Sequence, residues 1–150
     1  MTSTPAFSAK PSHLILHVRD TDRTIAFYQA LFGAAITEDR IMAAPALDEL
    51  YGRTGVRLRS VYLDAAGYRL HTLEAVDVRN QGEPPAPRHI GLNGISYAVV
   101  GLDARHETLI DAGLEPTPIK EFRHRDRLHS KVCFVDDPDG VRVELVEYFQ

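Results

Sequence analysis

The chain has 150 residues, 44% hydrophobic and 25% charged, with a formal net charge of −4. This length suits one domain of ordinary size, and this composition excludes a disordered or fibrous chain. The mildly acidic balance offers no footing for general nucleic-acid or membrane-surface binding, and no apolar run reaches the length of a transmembrane helix.

Residues 1–11 are small and mostly polar and read as a flexible tail rather than a secretion signal. The first apolar run is a strand: Leu14, Leu16 and Val18 share one face, His13, Ile15 and His17 the other. A helix follows, with Ile25, Tyr28, Leu31 and Phe32 at helical spacing, Asp20 to Asp22 as capping groups and Gly33 as the stop. Three strands complete this half. Between the second and third lies an insert, Met42 to Gly55, with a short helical stretch near Leu47 to Tyr51. The turn Asp64-Ala-Ala-Gly67 leads into a strand with Leu70 and Thr72 on one face and Arg69, His71 and Leu73 on the other. The prolines of Gln81 to Pro87 suit an extended linker.

The second half repeats the first. Beyond Val99 comes a helical stretch, Ala104 to Ala112, with Asp103 as capping group and Gly113 as stop. Glu121 to His129 reads as a polar, locally basic loop. The closing strand turns Val141, Val143 and Leu145 toward the helix and Arg142, Glu144 and Val146 away from it. Asp64 to Glu74 aligns without gaps on Asp137 to Glu147, with aspartate, glycine, arginine and the last glutamate at matching places. The expected fold is therefore α+β: two βαβββ modules in tandem within a single domain, 1–150. Module one covers about 12–80, the linker 81–88 and module two about 89–150.

Cys133 is the only cysteine, so an internal disulfide and a multi-cysteine zinc site are excluded, and it reads as a small apolar strand residue. These features together point to a cytoplasmic protein. Ionisable groups on an inner strand face cost desolvation energy unless something pairs with them. The strands carrying His13 and His17, His71, and Glu144 therefore predict a functional cavity.

The stretches His13-Leu-Ile-Leu-His-Val-Arg-Asp through Phe27-Tyr28 and Leu31-Phe-Gly33, with Gly94-Ile-Ser-Tyr-Ala-Val and Phe134-Val-Asp-Asp-Pro-Asp-Gly-Val-Arg-Val-Glu144-Leu, carry a resemblance. Over about residues 12–148 the chain resembles the vicinal-oxygen-chelate superfamily, which includes glyoxalase I, methylmalonyl-CoA epimerase, fosfomycin-resistance proteins and extradiol dioxygenases. The resemblance implies a glyoxalase-like fold and metal ligands at His13, His71, Gly94 and Glu144. Gly94 has no donor, and His89, five residues upstream, falls outside the strand. Two imidazoles and one carboxylate remain, a set that suits non-heme Fe(II), with other divalent metals open. Gly94, Ser96 and Ala98 leave room for an aromatic ring. His17 is the candidate acid or base, or a substrate contact. Arg69 and Arg142 either steady an anionic substrate or pair with nearby carboxylates.

The leading expectation is an Fe(II) dioxygenase acting on an oxygenated aromatic small molecule. A metal-dependent isomerase, epimerase or lyase is the second reading, for which Glu144 is the only inner-face carboxylate that stands out. A metal-free drug- or metabolite-binding protein is the third. The family resemblance further implies a homodimer, with halves exchanged between chains in some members.

Overall fold

The structure is a computed structural model that describes residues 9–77, 82, 90–92 and 94–150. The linker 81–88 apart from Gly82, residues 1–8 of the tail, and His89 lie outside the described residues. Module one comprises β1 (Leu14–His17), α1 (Thr21–Phe32), β2 (Ala35–Met42), α2 (Pro45–Tyr51), β3 (Leu58–Ala65) and β4 (Tyr68–Ala75). Module two comprises β5 (Ile95–Ala98), α3 (Leu102–Asp111), β6 (Lys120–His124), β7 (Arg127–Asp136) and β8 (Arg142–Tyr148). Each module forms a four-stranded mixed sheet of the same order, β1-β4-β3-β2 and β5-β8-β7-β6. In both, the first strand runs parallel to the last, and the remaining pairs are antiparallel. The fold is α+β with tandem βαβββ modules. Among the described residues no helix is long and apolar enough to cross a membrane.

The matching glutamates of the repeat have a structural explanation. A helix leaves its first backbone N–H groups without partners. Glu74, at the end of β4, accepts the Thr21 N–H at the start of α1 at 2.8 Å. Glu147, near the end of β8, accepts the N–H groups of Gly101 and Leu102 at the start of α3 at 2.7 and 2.9 Å. The last strand of each module thus holds its own helix. Asp20 caps α1 as expected, accepting from Arg23 N at 3.0 Å. Asp103 does not cap α3; it lies inside the first turn and pairs with Lys131. The N-cap is Gly101, at φ 71°, which has no side chain for the task, so Glu147 supplies the acceptor.

A second departure concerns the basic stretch 121–129, which is not a loop. It is the β6–β7 hairpin, closed by Arg125 and Asp126 at φ 48° and 64°. Positive φ at both central residues is what a two-residue hairpin turn requires, and aspartate tolerates it better than most residues.

The helix-side faces of both sheets merge into one apolar core with α1 and α3. Val18, Tyr28, Leu63 and Leu70 meet Tyr97, Leu102, Val143 and Leu145 there. Phe32 and Tyr97 join the modules with ring centroids 4.0 Å apart. Tyr28 also donates its hydroxyl to the buried Asp137 at 3.2 Å, bridging α1 to the β7–β8 turn. Cys133 is buried in this core, where burial pushes its thiol pKa up. The opposite face of each sheet points away from the shared core. Part of module one's outer face is covered by α2: Val56, Leu58 and Leu73 form a small cluster there with Met42, Leu47 and Ala75. Asp48 ties the chain after α2 back to the sheet by accepting from Gly55 and Val56 at 3.0 and 2.7 Å.

Candidate metal centre

Parallel pairing of β1 with β4 sets Ile15 beside His71 in register and brings His13, on the same face, to the same imidazole. The two rings meet edge to face with centroids 5.1 Å apart. Cross-strand from His71 stands Tyr62 of β3, whose ring stacks on the imidazole at 4.1 Å and 8°. His13 meets the edge of that phenol at 5.3 Å. Tyr62 is thus the wall of the histidine pair. Under it and His13, His71 is only 8% exposed.

Each imidazole is held by one nitrogen. Nδ1 of His13 is 2.9 Å from the Ser12 hydroxyl, and Nε2 of His71 is 2.7 Å from the Ser60 hydroxyl. Among the described residues, Nδ1 of His71 is buried without any hydrogen-bond partner. A neutral imidazole that donates from Nε2 to Ser60 keeps its lone pair on Nδ1. Burial holds the His71 pKa below its usual 6.5, reinforced by the neighbouring His13 and Arg69, so this imidazole is neutral at neutral pH. An oriented, neutral imidazole with an unused lone pair is what a metal ion requires of a ligand. On this observation the histidine pair fits a divalent metal.

Glu144 is elsewhere. It lies on β8, on the outer face of the second sheet, where Ser96 donates to its Oε1 at 2.6 Å. Among the described residues no three histidine, cysteine, aspartate or glutamate side chains converge on a point that could hold a metal, so His13, His71 and Glu144 do not meet within one chain. Glu144 nevertheless has surroundings that repeat those of His71. Phe134 stands cross-strand from it as Tyr62 stands from His71. Arg142 lies over the Phe134 ring at 5.2 Å as Arg69 lies over Tyr62 at 4.1 Å. His71 and Glu144 are each hydrogen-bonded to a serine and flanked by an arginine on an aromatic ring. The chain carries two half-sites built to one plan.

Gly94, Ser96, Phe134, Arg142 and Glu144 line a hollow of about 220 Å³ in the second half-site, the room expected from the small β5 residues. The glycine at 94 has a steric cause as well. A Cβ there would stand 2.6 Å from the Arg142 carbonyl oxygen, so β5 approaches β8 too closely for any side chain. The fourth ligand position is closed by the backbone.

His17 sits at the end of β1 on the same face as His13, exposed, with its ring 6.2 Å from that of Tyr51 on α2. The structure adds a carboxylate that alternation in the sequence did not reveal. The β2–β3 register shifts between Ile36 and Glu38, so Thr37 is an extra residue and Glu38 pairs with Tyr62. Without that bulge Glu38 would face the core opposite Val61; with it, Glu38 faces the histidines. Its negative charge acts on His71, raising that pKa against the larger opposing effects, and Arg40 holds it at 2.8 Å.

Residues 10–145 match the family described as the Glyoxalase/Bleomycin resistance protein/Dioxygenase superfamily. No curated protein matches the sequence. Among solved structures, a glyoxalase family protein from Bacillus cereus superposes with a TM-score of 0.80 at 10% identity, over 99% of this chain and 100% of that one. A glyoxalase family protein from Enterococcus faecalis gives 0.68 at 19% identity, over 92% and 97% of the two chains. The fosfomycin resistance protein FosX from Listeria monocytogenes gives 0.63 at 20% identity, over 95% and 96%. At these identities the likeness is one of fold.

Proposed function

Because this chain belongs to the glyoxalase, bleomycin resistance and dioxygenase superfamily, we propose that it is a metal-dependent enzyme acting on a small oxygenated molecule, its centre completed between two copies of the chain. The observation that carries the proposal is the unpartnered, buried Nδ1 of His71 beside His13, with Glu144 presented in a matching half-site on the other sheet. His13 and His71 of one copy and the glutamate at position 144 of a second would hold the metal in a homodimer. Such an ion would bind two adjacent substrate oxygens and withdraw charge from them.

Glu38 favours proton-transfer chemistry, that is isomerisation, epimerisation or elimination. It is a carboxylate on the histidine face, fixed by Arg40, and it can take a proton from a carbon beside the substrate's oxygens. Fosfomycin resistance proteins of the same fold are consistent with a small polar substrate. The dioxygenase reading rests on the donor set, since two imidazoles and one carboxylate with open positions suit Fe(II), and His17 is then the acid or base.

Mixing two inactive variants tests the shared centre. His71→Ala and Glu144→Ala, each purified without oxygen and reconstituted with Fe(II), Mn(II) or Zn(II), lose bound metal. Remixed through unfolding and refolding, they regain about a quarter of the wild-type metal, because half of the dimers are mixed and each carries one intact site. No recovery sinks the shared centre. Metal retained by Glu144→Ala removes that residue from it, and wild-type protein that takes up no metal leaves a metal-free binding protein. Oxygen consumption with catechols then separates the dioxygenase from the proton-transfer enzyme.

A further inference from the structure

Among the described residues, the arginines within module one's strands are neutralised except Arg69. Arg40 pairs with Glu38, and Arg57 with Asp77. Arg59 grips Asp39 through two nitrogens and reaches Asp22 with a third. Arg69 forms no ion pair among the described residues, although it is exposed and Asp64 stands directly opposite it in the β3–β4 ladder. Asp64 turns its carboxylate to the Gly67 N–H at 3.3 Å. In the second module the equivalent ladder pair behaves otherwise: Arg142 takes Asp136 through two nitrogens at 3.0 and 3.3 Å. The repeat thus contains its own comparison, one arginine paired and one free.

The free one is also held in place. Its guanidinium lies over the Tyr62 ring at 4.1 Å, the same ring that stacks on His71. Stacking orients the planar fork while leaving its N–H edge available for an oxyanion.

We propose that Arg69 is the recognition point for an anionic group, a carboxylate or phosphoryl oxyanion, on a substrate whose other oxygens lie at the histidine pair. This rests on the reading of the histidines as the reaction site, and it narrows the substrate to a small oxygenated acid. Tyr62 sets the spacing between the two ends: the anion binds where the guanidinium caps the ring, and the reacting oxygens lie at His71 on that ring's partner.

The probes are inorganic phosphate and acetate, titrated by calorimetry and by arginine side-chain NMR into metal-stripped protein, where the metal reading plays no part. Wild type is expected to bind at least one probe saturably, with the Arg69 Nε–H signal moving. Arg69→Gln weakens that binding at least tenfold. Arg69→Lys recovers part of it, since the charge remains but the fork and the stacking are lost. Arg57→Gln, with the same change in net charge, binds as wild type does. No saturable binding of either probe, equal binding by wild type and Arg69→Gln, or an equal loss in Arg57→Gln overturns the proposal. Metal content is measured on the same samples: Arg69→Gln retains the wild-type level, and protein that binds phosphate through Arg69 but takes up no metal overturns the metal centre alone.

Discussion

The Ser60 hydroxyl lies 2.7 Å from Nε2 of His71, and this contact decides which imidazole nitrogen is left over. It joins neighbouring strands, fixes the ring against Tyr62 and leaves Nδ1 without a hydrogen-bond partner among the described residues. Ser60→Ala is expected to lower metal affinity roughly 10–100-fold, the usual cost of losing a group that orients a histidine ligand. Competitive metal titration measures it. An unchanged affinity would remove Ser60, and the Nδ1 assignment with it, from the metal centre.

The depressed pKa of His71 links pH to stability. In the folded chain this imidazole takes a proton at lower pH than the unfolded reference of 6.5. Between those two values the unfolded state binds more protons, so stability rises with pH through that window and is lost as pH falls through it. Urea unfolding of metal-free protein at pH 7.5 and pH 5 should show the loss, and His71→Gln should reduce its size. An identical slope in both proteins would contradict the burial of His71.

Glu38 gives a spectroscopic prediction. Its charge raises the His71 pKa, so Glu38→Gln should lower that pKa further when followed by imidazole NMR. Stability should change by less than about 0.5 kcal/mol, since Glu38 forms only a surface ion pair with Arg40. Deleting Thr37 should leave the Glu38 effect in place, because it removes the extra residue and keeps Glu38 opposite Tyr62 in a regular ladder.

Gly94→Ala should cost about 1–3 kcal/mol, the range for forcing an added methyl into occupied space, because its Cβ would meet the Arg142 carbonyl at 2.6 Å. Gly94→His should be no more stable and should bind metal no more tightly than wild type. Chemical denaturation and metal titration of the two variants check this. A histidine that strengthens metal binding would mean that β5 and β8 can separate.

Tyr28→Phe removes one hydrogen bond to Asp137 and keeps the ring. Its expected cost is about 1 kcal/mol, because Asp137 still accepts from the N–H groups of Asp139 and Val141. Denaturant midpoints at unchanged slope are the measure.

Periodicity and repetition carried the sequence reading a long way, and their reach ends at identifiable residues. Alternation correctly separated Leu16 and Val18 from His13 and Ile15, and Leu70 and Thr72 from His71, because a strand's period of two is insensitive to long-range context. The meeting of His13 with His71 follows from parallel pairing of the first and last strands of a module. Glu38 was missed because one extra residue reverses a strand's faces and leaves no compositional trace. Asp103 was misassigned as a cap because the real acceptor, Glu147, lies more than forty residues away in sequence. The 121–129 stretch was read as a loop because Arg125 and Asp126 adopt a turn usually made by asparagine and glycine. That Glu144 stands apart from the histidines depends on how the two modules are packed, which no local pattern encodes.

The fusion of both helix-side faces into one core has a quantitative consequence for a centre shared between two copies. On the proposed shared centre, a lone chain would keep its core and both half-sites yet hold no complete centre. Activity per milligram would therefore fall on dilution while the circular dichroism of the folded chain persists and the melting temperature drops by mass action, and the number of working centres would follow the square of chain concentration when dimers are scarce. Halving the supply of chain would then remove about three quarters of the centres.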